Sequence, residues 1–200
     1  MREFILRASK AVTHPYFNLN DLPSSAGRMD LVCRCISSAL WVSNDLRRDT
    51  KIFVILEGPP NPPRTIVFDG NSLKGVNPDE RNIASHIKKA LEVGLNLGLE
   101  QEINVSPGIK VAKKSFESLI KEKSKETQLL YLHPEGKDIR EIEIKENVAF
   151  ILGDHIGIAR KTEKLIERLN IEKVSLGSKI YLASHAIVIA NYELDRRWLK

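Results

Sequence analysis

Six short apolar runs, each closed by turn residues, set the strongest limit on what this chain can fold into: Phe4–Leu6, Ile52–Leu56, Thr65–Phe68, Leu129–Leu132, Val148–Leu152 and Val174–Leu176. Several are apolar at every consecutive position. A strand with one face in water alternates apolar and polar residues, whereas a strand covered on both faces does not need to. The pattern therefore predicts an α/β protein with a mostly parallel sheet flanked by helices.

The intervening segments read as helices. Asn77-Pro78-Asp79-Glu80 offers a cap at Asn77, a proline in the first turn and an acid three residues on; Ile83, Ile87, Ala90, Leu91 and Gly94 then share one face. Other helices are expected from about Asp30 through Val32, Ile36 and Leu40, around Phe116, Leu119 and Ile120, and around Leu165, Ile166 and Leu169. The last begins near Ser184. Its stripe of Ile187, Ala190, Leu194 and Trp198 is widened by Val188 and Ile189 beyond one core contact, which suggests cover on a second side from the sheet or a second subunit. Loops are expected at 57–63, 106–108 and 133–137, with no internal repeat.

At 200 residues, 42% hydrophobic and 28% charged, the chain has enough apolar material for one core, and a single domain over 1–200 is expected. No run reaches the roughly 18 apolar residues of a membrane helix. A cytoplasmic protein is expected. Cys33 and Cys35, two residues apart, are read as buried reduced thiols rather than a disulfide. The net charge of +5 sits wholly in the end quarters: residues 1–50 carry seven basic and five acidic side chains, and residues 151–200 carry nine and six. An anionic partner such as RNA would suit that field, although a solvated surface explains charge alone as well.

Familiar chemical motifs are missing. There is no dinucleotide-binding glycine fingerprint, no phosphate-binding loop of the Walker type and no serine-hydrolase elbow. The histidines at 14, 86, 133, 155 and 185 lack a partner at ligand spacing, so no metal site is expected. What stands out is glycine just past strand ends, at Gly136, Gly153, Gly157 and Gly177. Ligands of open α/β sheets bind outside the carboxyl ends of the strands, so these loops point to one pocket, with ordinary turns as the alternative for any one of them.

Four segments carry a wider likeness: Ala26-Gly27-Arg28-Met29-Asp30-Leu31-Val32, Pro63-Arg64-Thr65-Ile66-Val67-Phe68-Asp69-Gly70, Phe150-Ile151-Leu152-Gly153-Asp154-His155-Ile156-Gly157, and Val174 through His185. In these segments, and in their order, the chain resembles the archaeal tRNA pseudouridine N1-methyltransferases of the SPOUT class. The resemblance implies a C-terminal deep trefoil knot, a homodimer formed across it, and S-adenosylmethionine as methyl donor. By motif, cofactor contacts would fall on Leu132, Gly153, Leu176, Gly177, Ser178, Lys179, Ile180, Tyr181 and Ala186, the last being a position where the family commonly has cysteine. The substrate implied is pseudouridine 54 in the tRNA T-loop. The natural runner-up is a small-subunit rRNA pseudouridine N1-methyltransferase; a non-catalytic RNA-binding or ribosome-assembly protein on the same fold is a further alternative.

Pseudouridine is joined to its sugar through carbon and keeps a free N1–H, which must be lost on methylation. An acid accepting that proton's hydrogen bond would orient the base, and Asp30 is the first candidate, with helix capping as its structural alternative. Arg28 and Arg64 are candidates for RNA contacts, with a plain surface ion pair as the alternative for each. Asp69 and Asp21 are second choices for acid or polar contacts. Arg160, Lys161, Arg196 and Arg197 are candidates for tracking phosphate.

Overall fold

The computed structural model describes residues 1–198. Its main sheet has eight strands: β1 (Arg2–Ala8), β4 (Thr50–Leu56), β5 (Arg64–Asp69), β6 (Glu102–Ser106), β7 (Ile109–Ala112), β8 (Gln128–Asp138), β9 (Val148–Gly153) and β10 (Glu172–Ser175). They lie in the order β10-β8-β9-β1-β4-β5-β7-β6. The first five run parallel, and β5, β7 and β6 close the far side antiparallel. A two-stranded ribbon, β2 (Trp41–Val42) with β3 (Asp45–Leu46), stands apart.

Burial on both faces explains the unbroken apolar runs. Phe4, Leu6, Ile52, Val54, Leu56, Phe150 and Leu152 join one core, which α1 (Met29–Leu40), α2 (Glu80–Val93) and α5 (Ala183–Arg197) cover. Their neighbours Ile5, Phe53, Ile55, Ala149 and Ile151 point the other way, into a smaller core under α3 (Phe116–Lys123) and α4 (Arg160–Arg168). Cys33 and Cys35 are both buried in α1, and burial pushes the Cys35 thiol up to about 12.

Three expectations need correction. The cap of α2 is Asp79, whose Oδ1 accepts from the Asn82 amide at 2.8 Å, so Asn77 and Pro78 lie outside the helix. Asp30 does not cap α1: Arg28, left-handed at φ 67°, occupies that position, and Asp30 lies in the first turn, where a negative charge suits the helix dipole. Strands β6 and β7 went unread because β6 is an exposed edge without an apolar run and β7 offers only Ile109, Val111 and Ala112 to the core.

The last helix is placed by polar bonds as much as by Ile187, Ala190 and Leu194. Buried Asn191 donates to the Ser38 and Ala39 carbonyls at the end of α1 and accepts from Arg2. Arg2 reaches Asp195, which Arg47 also holds at 2.7 Å. Among the described residues no helix is long and apolar enough to cross a membrane.

Candidate functional site

The carboxyl ends of β8, β9, β10, β1 and β4 share one edge of the sheet, since these five strands are parallel. A cleft of about 90 Å3 opens there, lined by Leu132, Leu176, Lys179, Ile180, Tyr181 and Ala186 among others. Six of the nine residues expected to hold the cofactor therefore line one cleft. Gly177 and Ser178 lie in the same loop, whose turn is closed by Ser175 Oγ accepting from the Gly177 amide at 3.2 Å and donating to its carbonyl at 3.0 Å.

Gly153 acts differently. A Cβ there would lie 2.6 Å from the Gly157 carbonyl carbon, so this glycine lets the turn at 153–157 fold onto itself. Gly136 departs from the expected ligand loop: its Cβ would fall 2.3 Å from the Val174 amide nitrogen, and its smallness serves the close approach of β8 to β10.

Asp30 lies at the same edge. Its carboxylate is buried, accepts from Arg28 Nε and Nη2 at 3.0 Å each, and accepts from Arg34 Nη2 at 2.7 Å. Burial opposes its ionisation, but the hydrogen bonds from Arg28 and Arg34 outweigh it and hold the group down at about 2. Arg34 continues to Glu80 on α2 at 3.1 Å. With both oxygens taken up by guanidinium groups, Asp30 is placed to fix Arg28 and Arg34 rather than to store a proton.

Asp154 is the acid that sequence reasoning missed. It follows Gly153, and its Oδ2 accepts from the Ser9 amide at 2.6 Å, tying the end of β9 to the end of β1. Its charge also acts on Arg28. The available signal was an acid immediately after a strand-ending glycine.

The other expected residues scatter. Arg64 is buried at 1% exposure and, among the described residues, forms no ion pair; it donates to the Pro63 and Leu95 carbonyls at 3.3 Å, so its guanidinium is held by backbone rather than presented at the surface. Asp21 accepts from the Ser24 amide in the turn before α1. Asp69 lies at the opposite edge of the sheet, paired with Lys51 at 2.9 Å beside a larger cavity of about 600 Å3, because β5 runs antiparallel to β4. Arg197 is also removed from the phosphate candidates: it donates to the carbonyls of Ile142 and Ile139. Arg160, Lys161 and Arg196 remain exposed.

A ligand cleft at the carboxyl edge of an open, mainly parallel sheet defines a small-molecule-binding α/β protein. The chain belongs to a family described as "Putative SAM-dependent RNA methyltransferase", whose model matches residues 1–199. Two similar curated proteins are both named tRNA (pseudouridine(54)-N(1))-methyltransferase. The one from Methanococcus aeolicus is 48% identical, with 100% of each chain covered. The one from Methanocella arvoryzae is 46% identical over 98% of this chain and 100% of its own. In fold, the chain is similar to Archaeoglobus fulgidus Nep1 bound to S-adenosylhomocysteine, with a TM-score of 0.66 at 14% identity, covering 98% of this chain and 97% of that one.

The cleft suits S-adenosylmethionine in character. Leu132, Leu176, Ile180 and Tyr181 offer apolar wall to a purine. The segment 176–182 forms neither helix nor strand, which leaves backbone amides and carbonyls to face polar edges.

Proposed function

We propose that this protein transfers a methyl group from S-adenosylmethionine to N1 of pseudouridine 54 in the T-loop of tRNA. The observation that carries the reading is the convergence of Leu132, the 176–181 loop and Ala186 on one cleft, in a chain whose full-length relatives bear that activity in their names. When bound, the donor supplies an electrophilic methyl on a sulfonium. The protein's task is then to hold a nucleophilic base edge in line with it, and positioning of this kind supplies much of the acceleration in two-substrate reactions.

In this reading Leu132, Gly153, the loop Leu176–Tyr181 and Ala186 hold the cofactor. Asp30 is a positioning residue. Its fixed negative charge aims Arg28, which is half exposed, and Arg34 at the RNA. A carboxylate held near 2 is a weak base, so the N1 proton leaves to solvent or to another acceptor. Asp21, on the adjoining turn, is a candidate polar contact, and Arg160 and Lys161 suit phosphate beyond the 153–157 turn.

We further read the chain as one domain whose C-terminal segment is knotted. Supporting this, β10 leaves the edge of the sheet, yet α5 packs on α1 several strands away, and Arg197 near its end bonds the segment that links β8 to β9. The protein is read as a cytoplasmic homodimer. The cleft is far smaller than the roughly 300–1,000 Å3 of closed ligand sites, and its surroundings are apolar and exposed: Ile180 at 85%, Leu182 at 65% and Ile156 at 53%. A second copy would cover them.

Methyl transfer from labelled S-adenosylmethionine to tRNA transcripts and to small-subunit rRNA fragments, each with and without prior pseudouridylation, tests the reading. Label is expected only in pseudouridylated tRNA; label in rRNA alone would favour the ribosomal enzyme. Calorimetry showing no cofactor binding would favour a non-catalytic RNA-binding protein.

A further inference from the structure

Tyr16 is 80% exposed, more than any other aromatic residue described, yet its position is well fixed. Its ring stacks with that of His14 at 6.0 Å between centroids and 19° between planes, and its amide donates to His14 Nδ1 at 3.1 Å. Pro15 between them is buried, and Phe17 beneath is 3% exposed, with the Lys88 ammonium 5.9 Å from its ring centre. Thr13 anchors the loop to the end of β4: its amide donates to the Pro59 carbonyl at 2.9 Å, and its hydroxyl donates to the Gly58 carbonyl and accepts from the Asn61 amide. The Val12 amide donates to the Ala26 carbonyl and closes the loop just before Arg28.

An exposed, rigid pair of stacked rings costs little conformational entropy to use and offers a flat π surface, with a cation at the same loop, where Lys88 lies over the Phe17 ring. Such surfaces bind unstacked bases of single-stranded nucleic acid. The loop sits over the end of β4, three strand spacings, or about 14 Å, from β8 and its cleft on the same edge of the sheet. A few nucleotides of a splayed loop bridge that span. The geometry points to the His14–Tyr16 pair as a stacking platform for a second, unpaired base of the same RNA whose target base is presented at the cleft. This inference rests on the RNA-methylating reading above and adds a recognition site to it.

The test measures the dissociation constant of a pseudouridylated tRNA T-arm hairpin for the wild type, Tyr16→Ala and Tyr16→Phe, alongside cofactor affinity and sedimentation. Tyr16→Ala is expected to weaken hairpin binding at least fivefold with unchanged salt dependence, and Tyr16→Phe to stay within twofold of wild type, with cofactor affinity and oligomeric state unaltered in both. Unchanged binding by Tyr16→Ala would overturn the platform, as would equal losses in both variants or a fall to monomers, which would make the pair a subunit contact. If wild type methylates tRNA and Tyr16→Ala is indifferent, only the platform fails. If wild type neither binds the hairpin nor methylates tRNA, the functional reading fails and the platform with it.

Discussion

Arg34 Nη2 lies 2.7 Å from Oδ2 of Asp30, one turn away along α1, and closes from one side a carboxylate that Arg28 holds from the other. The pairing decides what Asp30 can do. It is ionised throughout the physiological range, and in the proposed reading it serves by fixing two guanidinium groups.

Asp30→Asn keeps the shape and removes the charge. Methyl transfer should slow by roughly tenfold or more while cofactor affinity stays unchanged, because the lost effect is orientation of RNA rather than of the donor. Steady-state kinetics beside calorimetry check this, and wild-type turnover in the variant would remove Asp30 from the mechanism.

The same pair predicts an acid dependence of stability. The folded value of about 2 lies below the ordinary 3.8, so the contribution is fully present above about pH 4 and is lost as pH falls toward 2. It amounts to something on the order of 2 kcal/mol. Denaturant titrations at pH 6 and pH 2.5 should show the loss in wild type and a smaller one in Asp30→Asn.

Gly153→Ala would place a methyl group against the backbone of Gly157, which cannot retreat as a flexible side chain would. The turn must open. Cofactor affinity should fall at least tenfold by calorimetry, with a stability loss of about 1–3 kcal/mol; an alanine variant that binds as wild type does would separate this turn from the cofactor site.

Asn191→Ala leaves the Ser38 and Ala39 carbonyls without their side-chain donor and takes an acceptor from buried Arg2. Unfolding should be easier by about 1–3 kcal/mol with an unchanged denaturant slope. A smaller change would mean that α5 is held on α1 by its apolar face alone.

Ile180→Asp sets a charge in the exposed apolar rim of the cleft. Sedimentation at micromolar concentration should show wild-type dimers and variant monomers. A wild-type monomer would contradict the assembly.

The parallel half of the fold was legible because doubly covered strands must be apolar throughout, and β1, β4 and β9 carry that requirement on their surface. The antiparallel addition was not, since Glu102–Ser106 is an exposed edge strand that shows no alternation of buried and exposed positions. At the site, the likeness of whole segments led to the cleft residues, whereas residue type alone misled. An arginine in sequence does not reveal that its guanidinium will be bonded to backbone carbonyls, as those of Arg64 and Arg197 are. Asp69 was displaced for a topological reason: in an antiparallel strand the two ends trade edges. Gly136 looked like a ligand loop because strand packing and ligand approach make the same demand for a missing Cβ.

Nucleoside mass spectrometry after incubation with the donor tests the central claim most directly, using tRNA that carries either uridine or pseudouridine at position 54. A single added methyl on the pseudouridine base, with none on the uridine control, is the predicted result. Methylation of the uridine control, or of a ribose, or of no nucleoside in either tRNA, would contradict it.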